Sequence, residues 1–266
     1  MKLANNNSDL SNTYNKEYIP ITILIGALAI LVVLIYNSAF NKGYFTCKKY
    51  ILNTYLYILL VIVIVCLQVL IMDQQNVKVE QIYGNFQGWL GIILFFVLVL
   101  GLLVITLAIN PRNVFLKHLS WFLFALTTGL LAYPAYMISK KNNTLIRVLY
   151  SLIGILFFFS AVAFIKPEWI SLSWGPILLF LLVGVIILHL VFLFTKSKKY
   201  EEDAVYPKWL SYGVIVLFIF FVLYDTKLIQ VNAKKCKENS VDYINESMGI
   251  FIDALNLFQN LVLVNT

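Results

Sequence analysis

Apolar residues run along this chain in eight stretches of roughly 20, the length a helix needs to cross a bilayer. They cover residues 19–37, 51–72, 87–109, 118–137, 145–165, 174–195, 209–229 and, more polar than the rest, 247–264. None alternates apolar and polar positions at period two, so none reads as a barrel strand. The pattern predicts an all-α integral membrane protein with eight transmembrane helices and a polar N-terminal tail over residues 1–18. The first helix, with no charge inside its apolar run, is expected at the periphery. The last, with polar residues along one side, is expected at the centre. Short loops leave no room for a soluble domain or a repeat array; the longest tethers are the tail and the residues between Asp225 and Ser247.

Composition agrees with the pattern: 61% of residues are hydrophobic and 12% charged, against about 45–50% and about 25% in soluble domains. The net charge of +7 does not point to nucleic acid. The basic residues form small loop clusters (Lys48 and Lys49, Lys140 and Lys141, Lys198 and Lys199, Lys234 and Lys235), suited to the lipid bilayer's head groups. Counting Lys and Arg on the two sides of an eight-span topology gives ten and ten, so the positive-inside rule assigns no orientation. The tail lacks the Arg-rich amphipathic character of a mitochondrial presequence, and the first apolar run is long for a signal peptide. It is therefore expected to remain as a helix.

Cys47, Cys66 and Cys236 contain no CxxC pair and predict neither a disulfide framework nor a metal site. The sequons at Asn142 and Asn245 lie too close to apolar runs to favour glycosylation. Trp89, Trp121, Trp169, Trp174 and Trp209 sit near segment ends, as an aromatic belt requires. Gly88, Gly91, Gly129 and Ala132 read as packing positions, and Pro134 as a kink or a helix end. His118 is read as an interfacial anchor. His189, in mid-helix, has the chemistry of a proton relay, although a lone membrane histidine is more often a hydrogen-bonded packing residue.

Candidate chemistry concentrates at the C-terminus. Asp253, Asn256 and Asn260 share one helical face, at i, i+3 and i+7, while leucine and valine cover the rest. Asp225 closes the seventh apolar run, and a helix continued through Ile229 would hold its carboxylate just inside one interface. A carboxylate in mid-membrane costs roughly 2.5–3.5 kcal/mol on insertion scales, so intramembrane acids usually face a protein or water-filled interior. Two carboxyls sharing one low-dielectric pocket cannot both ionise cheaply and titrate as a unit. Carboxylate and amide oxygens are also ligands for a hard cation such as calcium. The sharp reading is a site that trades a proton for a cation; the plain one pairs Asp225 with Lys227 and bonds Asp253 to a neighbouring helix. No bound cofactor is expected; Ca²⁺ and H⁺ would be transported ions.

The C-terminal half resembles the BAX inhibitor-1 and Lifeguard family. YDTKLI is similar to the signature ending that family's penultimate helix, and SMGIFIDALNLFQNLV to its last helix; FLKHLSWFLFALTTGLLAYP is similar to its third core helix. Within the family NTYLYI, KHLSWFLF, TLIRVLYS and DYINESMGIFIDALNLF look most like the growth-hormone-inducible transmembrane branch, which has an extra helix ahead of the shared seven. The resemblance spans residues 45–264 and implies a seven-helix bundle around a central polar last helix. It implies a pH-sensitive calcium-permeable channel or calcium/proton exchanger with an anti-apoptotic role, in the mitochondrial inner membrane or the endoplasmic reticulum or another internal membrane. Asp225 and Asp253 fall on the family's two-aspartate pH sensor. Arg112 is the nearest candidate for its latch arginine, although NPRN departs from the family's local pattern; the competing reading is an arginine snorkelling to phosphate.

Two other function classes remain. An intramembrane aspartyl protease also uses two membrane aspartates, but it needs GxGD where this chain has FIDA, and there is no PAL sequence. A non-transporting protein that suppresses death by binding other membrane or apoptosis-regulating proteins conflicts with no sequence feature. A seven-helix receptor is disfavoured by the short tails and the polar last helix.

Overall fold

The computed structural model describes residues 3–79, 89–196, 208–237 and 241–266. The expected basic pair Lys198 and Lys199, the start of the third run at Gln87, and Gly88 lie outside them. Among the described residues eight α-helices follow in order: α1 Leu3–Ala39, α2 Tyr50–Gln74, α3 Trp89–Ala108, α4 Val114–Lys141, α5 Leu145–Ile165, α6 Trp174–Lys196, α7 Lys208–Lys234 and α8 Tyr243–Asn265. The protein is therefore all-α and integral to a membrane. Six of the helices are long and apolar enough to span, while α3 and α6 contribute shorter apolar stretches among the described residues, Leu94–Ala108 and Trp174–His189.

Several boundaries differ from the sequence reading. The helix that begins the chain starts at Leu3, within the polar tail, and carries Pro20 inside it. Helix α7 runs to Lys234, five residues past the last apolar position of its run. Pro134 does not end α4, which continues to Lys141. A small antiparallel hairpin, β1 Phe40–Asn41 with β2 Tyr44–Phe45, follows α1. Its two-residue turn takes Lys42 and Gly43 to positive φ (50° and 83°), the backbone of a turn that matches strand twist and suits glycine at the second position.

Two compact units divide the chain: residues 1–134 with 237–245, and residues 135–236 with 246–266. In lipid, helices gain little from leaving their solvent, so association depends on close packing and on polar bonds. The first unit uses both. Asn53, fully buried, donates from Nδ2 to Ser38 O, Lys48 O and Tyr243 Oη, and its Oδ1 accepts from Ser38 Oγ at 2.5 Å. Beside it Phe45, Tyr57, His118, Trp121 and Tyr243 form an aromatic cluster, with Tyr57 and Tyr243 stacked at 6.1 Å and Phe45 edge-on to Tyr57 at 5.9 Å.

Two expectations change here. Trp121 is 3% exposed and packs in this cluster, so it is not part of an aromatic belt, whereas Trp169 and Trp209 are exposed. His118 is not an interfacial anchor. Its Nδ1 lies 2.7 Å from Val114 O and must donate there, which leaves Nε2 to accept from the Tyr57 hydroxyl at 2.8 Å. Gly129 behaves as a packing position: a methyl there would overlap the Gln68 amide, which donates to Leu126 O.

In the second unit α5, α7 and α8 share a core of Val148, Val214, Phe218, Val222, Leu257 and Val262, all nearly inaccessible. The leucine and valine flank of α8 thus faces other helices. Small residues on α5 admit polar contacts with α7: Thr226 Oγ1 donates to Ser160 Oγ at 3.2 Å and Gln230 Nε2 to Ala163 O at 2.9 Å. Helix α8 is the most buried of the six candidate spans and α1 the least. Cys47 and Cys236 are each disulfide-bonded and Cys66 is free, contrary to the expectation of no disulfide framework.

Candidate functional site

Helix geometry sets the depth of the two aspartates. Asp225 lies nine residues before the end of α7 and Asp253 ten residues after the start of α8. At ~1.5 Å per residue both are about 14 Å along their helices from the ends joined by the 235–242 connection. The extension of α7 to Lys234 therefore carries Asp225 deeper than its position at the end of the apolar run implies.

The two side chains meet. The Asp225 and Asp253 carboxyls lie within hydrogen-bonding reach of one another, an approach that one proton between them would turn into a bond. Asp253 is 3% exposed, and its Oδ2 has no hydrogen-bond partner in the structure.

What admits Asp225 is a hole in α8. Glu246, Gly249, Asp253, Asn256 and Asn260 follow one another at alternate steps of three and four residues, the repeat that keeps one stripe on one face. A Cβ at Gly249 would overlap the Asp225 carboxyl, so the missing side chain is the space the aspartate occupies. Glu246, which accepts from Asn232 Nδ2 at 2.8 Å, lies close enough to act electrostatically on Asp225. A second close approach supports the neighbouring turn: a Cβ at Gly175 would stand 2.6 Å from the Tyr224 hydroxyl.

Asn256 and Asn260 continue the stripe. Their amides donate to Ile252 O and Asn256 O within α8 at 2.8 and 2.9 Å. This turns the amide oxygens away from the helix backbone, and Asn260 Oδ1, buried, has no partner. Two unpartnered buried acceptors thus lie seven residues apart on the same face. Among the described residues no group of three His, Cys, Asp or Glu could hold a metal ion, so the site lacks the ligand density of a storage site.

The remaining sequence candidates lie elsewhere. His189 on α6 is half-buried, with Nδ1 donating to Val185 O at 2.8 Å in its own helix, the arrangement of a packing histidine. Arg112 is exposed on the turn between α3 and α4, its backbone N–H donating to Asn110 Oδ1 at 2.9 Å. Sequence reasoning also missed a second charged centre. Lys117 on α4 is fully buried and forms an ion pair with Asp242 at 2.7 Å. Its ammonium also donates to Thr106 O, Ile109 O and Asn245 Oδ1 at 2.6, 3.0 and 2.7 Å. The carbonyls belong to the end of α3, so Lys117 caps that helix as well as neutralising Asp242. Burial is the dominant influence on the Asp242 carboxyl and raises its pKa above the ordinary range, opposed by the bond from Lys117. The period-seven spacing from Glu246 to Asp253 was available as a signal for Glu246; nothing in the spacing linked Lys117 to Asp242.

A family model described as inhibitor of apoptosis-promoting Bax1 matches residues 47–264, which is most of the chain. The chain belongs to the Bax inhibitor-1 family. No solved structure matches it. As a multi-pass membrane protein of the Bax inhibitor-1 family it carries both aspartates inside the matched span, while α1 and the hairpin lie ahead of it.

Proposed function

We propose that this protein conducts calcium across an internal membrane, by channel or by proton exchange, and that the proton shared by Asp225 and Asp253 controls the passage. The observation that carries the reading is the close approach of the two carboxyls inside a span, beside Asp253 Oδ2 and Asn260 Oδ1, two buried oxygens with no donor. Desolvated oxygens without partners are costly. A hard cation repays that cost, and oxygen is the ligand it prefers. With the pair protonated, one carboxyl oxygen is engaged by its neighbour and the site is short of charge. Loss of the shared proton leaves two adjacent carboxylates whose repulsion is relieved either by separation or by a cation. Proton and calcium thus compete for the same oxygens. An anti-apoptotic effect would follow from limiting the calcium load of a membrane compartment.

The test is calcium flux through purified protein in liposomes across a pH series. Wild type is expected to show pH-dependent flux, Asp225→Asn and Asp253→Asn each to flatten it, and the double variant to add little, because groups acting as one unit are not additive. A single variant with the wild-type profile would refute the paired site. Flux absent at every pH would instead favour a non-transporting interaction protein.

A further inference from the structure

We propose that the pocket between the 40–45 hairpin and the α3–α4 turn is a binding site for a phosphate group, distinct from the two-aspartate centre. Its volume is ≈460 Å³, within the ~300–1,000 Å³ typical of small-ligand sites. Lys42 from the hairpin and Arg112 from the α3–α4 turn both line it, with Asn41 and Thr46 as polar neighbours and Phe45 and Pro111 as apolar surface. No acidic side chain is among the lining residues. Asp242, which follows the lining residue Val241, is already committed to Lys117. Two cations therefore line one cavity with no acid among its described lining residues.

Both cations stand on ordered turns. Lys42 occupies the first position of the hairpin turn, at positive φ, with Phe40 paired to Phe45 below it. Arg112 stands on a turn closed by Asn113 N–H to Asn110 O at 2.9 Å and by Arg112 N–H to Asn110 Oδ1. A guanidinium matches two phosphate oxygens at once and an ammonium supplies a point charge beside it. The location favours the same chemistry. Both walls lie at the ends of membrane helices, α1 stopping at Ala39 and α4 starting at Val114, which is the depth of lipid phosphates. The group can come from a lipid headgroup or from a soluble phosphate.

Binding is measured on the purified full chain in a neutral detergent, using dioctanoyl phosphatidic acid, dioctanoyl phosphatidylcholine and inorganic phosphate as separate probes. Phosphatidic acid is expected to bind, and Lys42→Gln with Arg112→Gln to weaken it by about tenfold or more, since each basic residue near a membrane surface contributes about a factor of five. Lys141→Gln with Lys208→Gln, which removes the same charge from exposed positions outside the pocket, is expected to change nothing. Displacement of phosphatidic acid by inorganic phosphate, or binding of inorganic phosphate alone, supports the phosphate site with a soluble source. Binding of the lipid without such competition supports it with a membrane source. Equal binding by the pocket variant and wild type, equal loss in the charge control, or no preference for phosphatidic acid over phosphatidylcholine when inorganic phosphate also fails to bind, overturns the proposal. The Lys42 and Arg112 side chains are exposed, so both variants are expected to elute and unfold as wild type does.

Discussion

Replacing Lys117 by Met tests how the first unit is held together. The perturbation deletes an ammonium that is fully buried and has four acceptors within 3.0 Å: Asp242, Asn245 Oδ1 and the carbonyls of Thr106 and Ile109. Asp242, only 12% exposed, is left without its counter-ion, and the end of α3 loses its cap. Removing one partner of a buried pair costs about 3–5 kcal/mol, which for a chain of this size lowers the apparent Tm by roughly 6–15 °C. Free, partly buried Cys66 provides the assay, because a thiol-reactive dye reports its exposure on heating. Asp242→Asn is expected to cost less, since the amide still accepts a bond from Lys117. The double variant is expected to be more stable than the sum of the single losses predicts. The pH dependence has a definite sign. Because burial raises Asp242 in the folded state, the folded chain binds more protons than the unfolded one between the two pKa values, so this group's contribution falls as pH rises through that window. Removing Lys117 takes away the opposing bond and extends the fall to higher pH, while Asp242→Asn abolishes it. Lys117→Met within 2 °C of wild type, or additive losses in the double variant, would refute the reasoning.

Gly249→Ala is expected to push the Asp225 carboxyl out of its place on α8 and to flatten the pH dependence of calcium flux as Asp225→Asn does, while Gly213→Ala, with open space around it, keeps the wild-type profile; a normal profile in Gly249→Ala would mean the approach is not needed. Under denaturing, non-reducing conditions maleimide is expected to add to Cys66 alone and, after reduction, to Cys47 and Cys236 as well; three additions without reductant would contradict the disulfide.

The hydrophobic pattern was enough to locate eight helices because a bilayer demands a long apolar run and internal backbone bonding wherever the chain crosses. That demand is local, and so is the spacing that aligns Asp253, Asn256 and Asn260 on one face of α8. Helix ends were less legible: α7 continues past its apolar run to Lys234, since a helix persists in polar sequence wherever a partner such as Ala163 O accepts from Gln230. The tertiary structure alone decided who meets whom. It set Asp225 into the gap at Gly249, joined Lys117 to an acid 125 positions away, and turned His118 and Trp121 into the aromatic cluster. Each is a contact between residues remote in the chain, and its energy depends on distance and desolvation. Neither is encoded in spacing along the sequence.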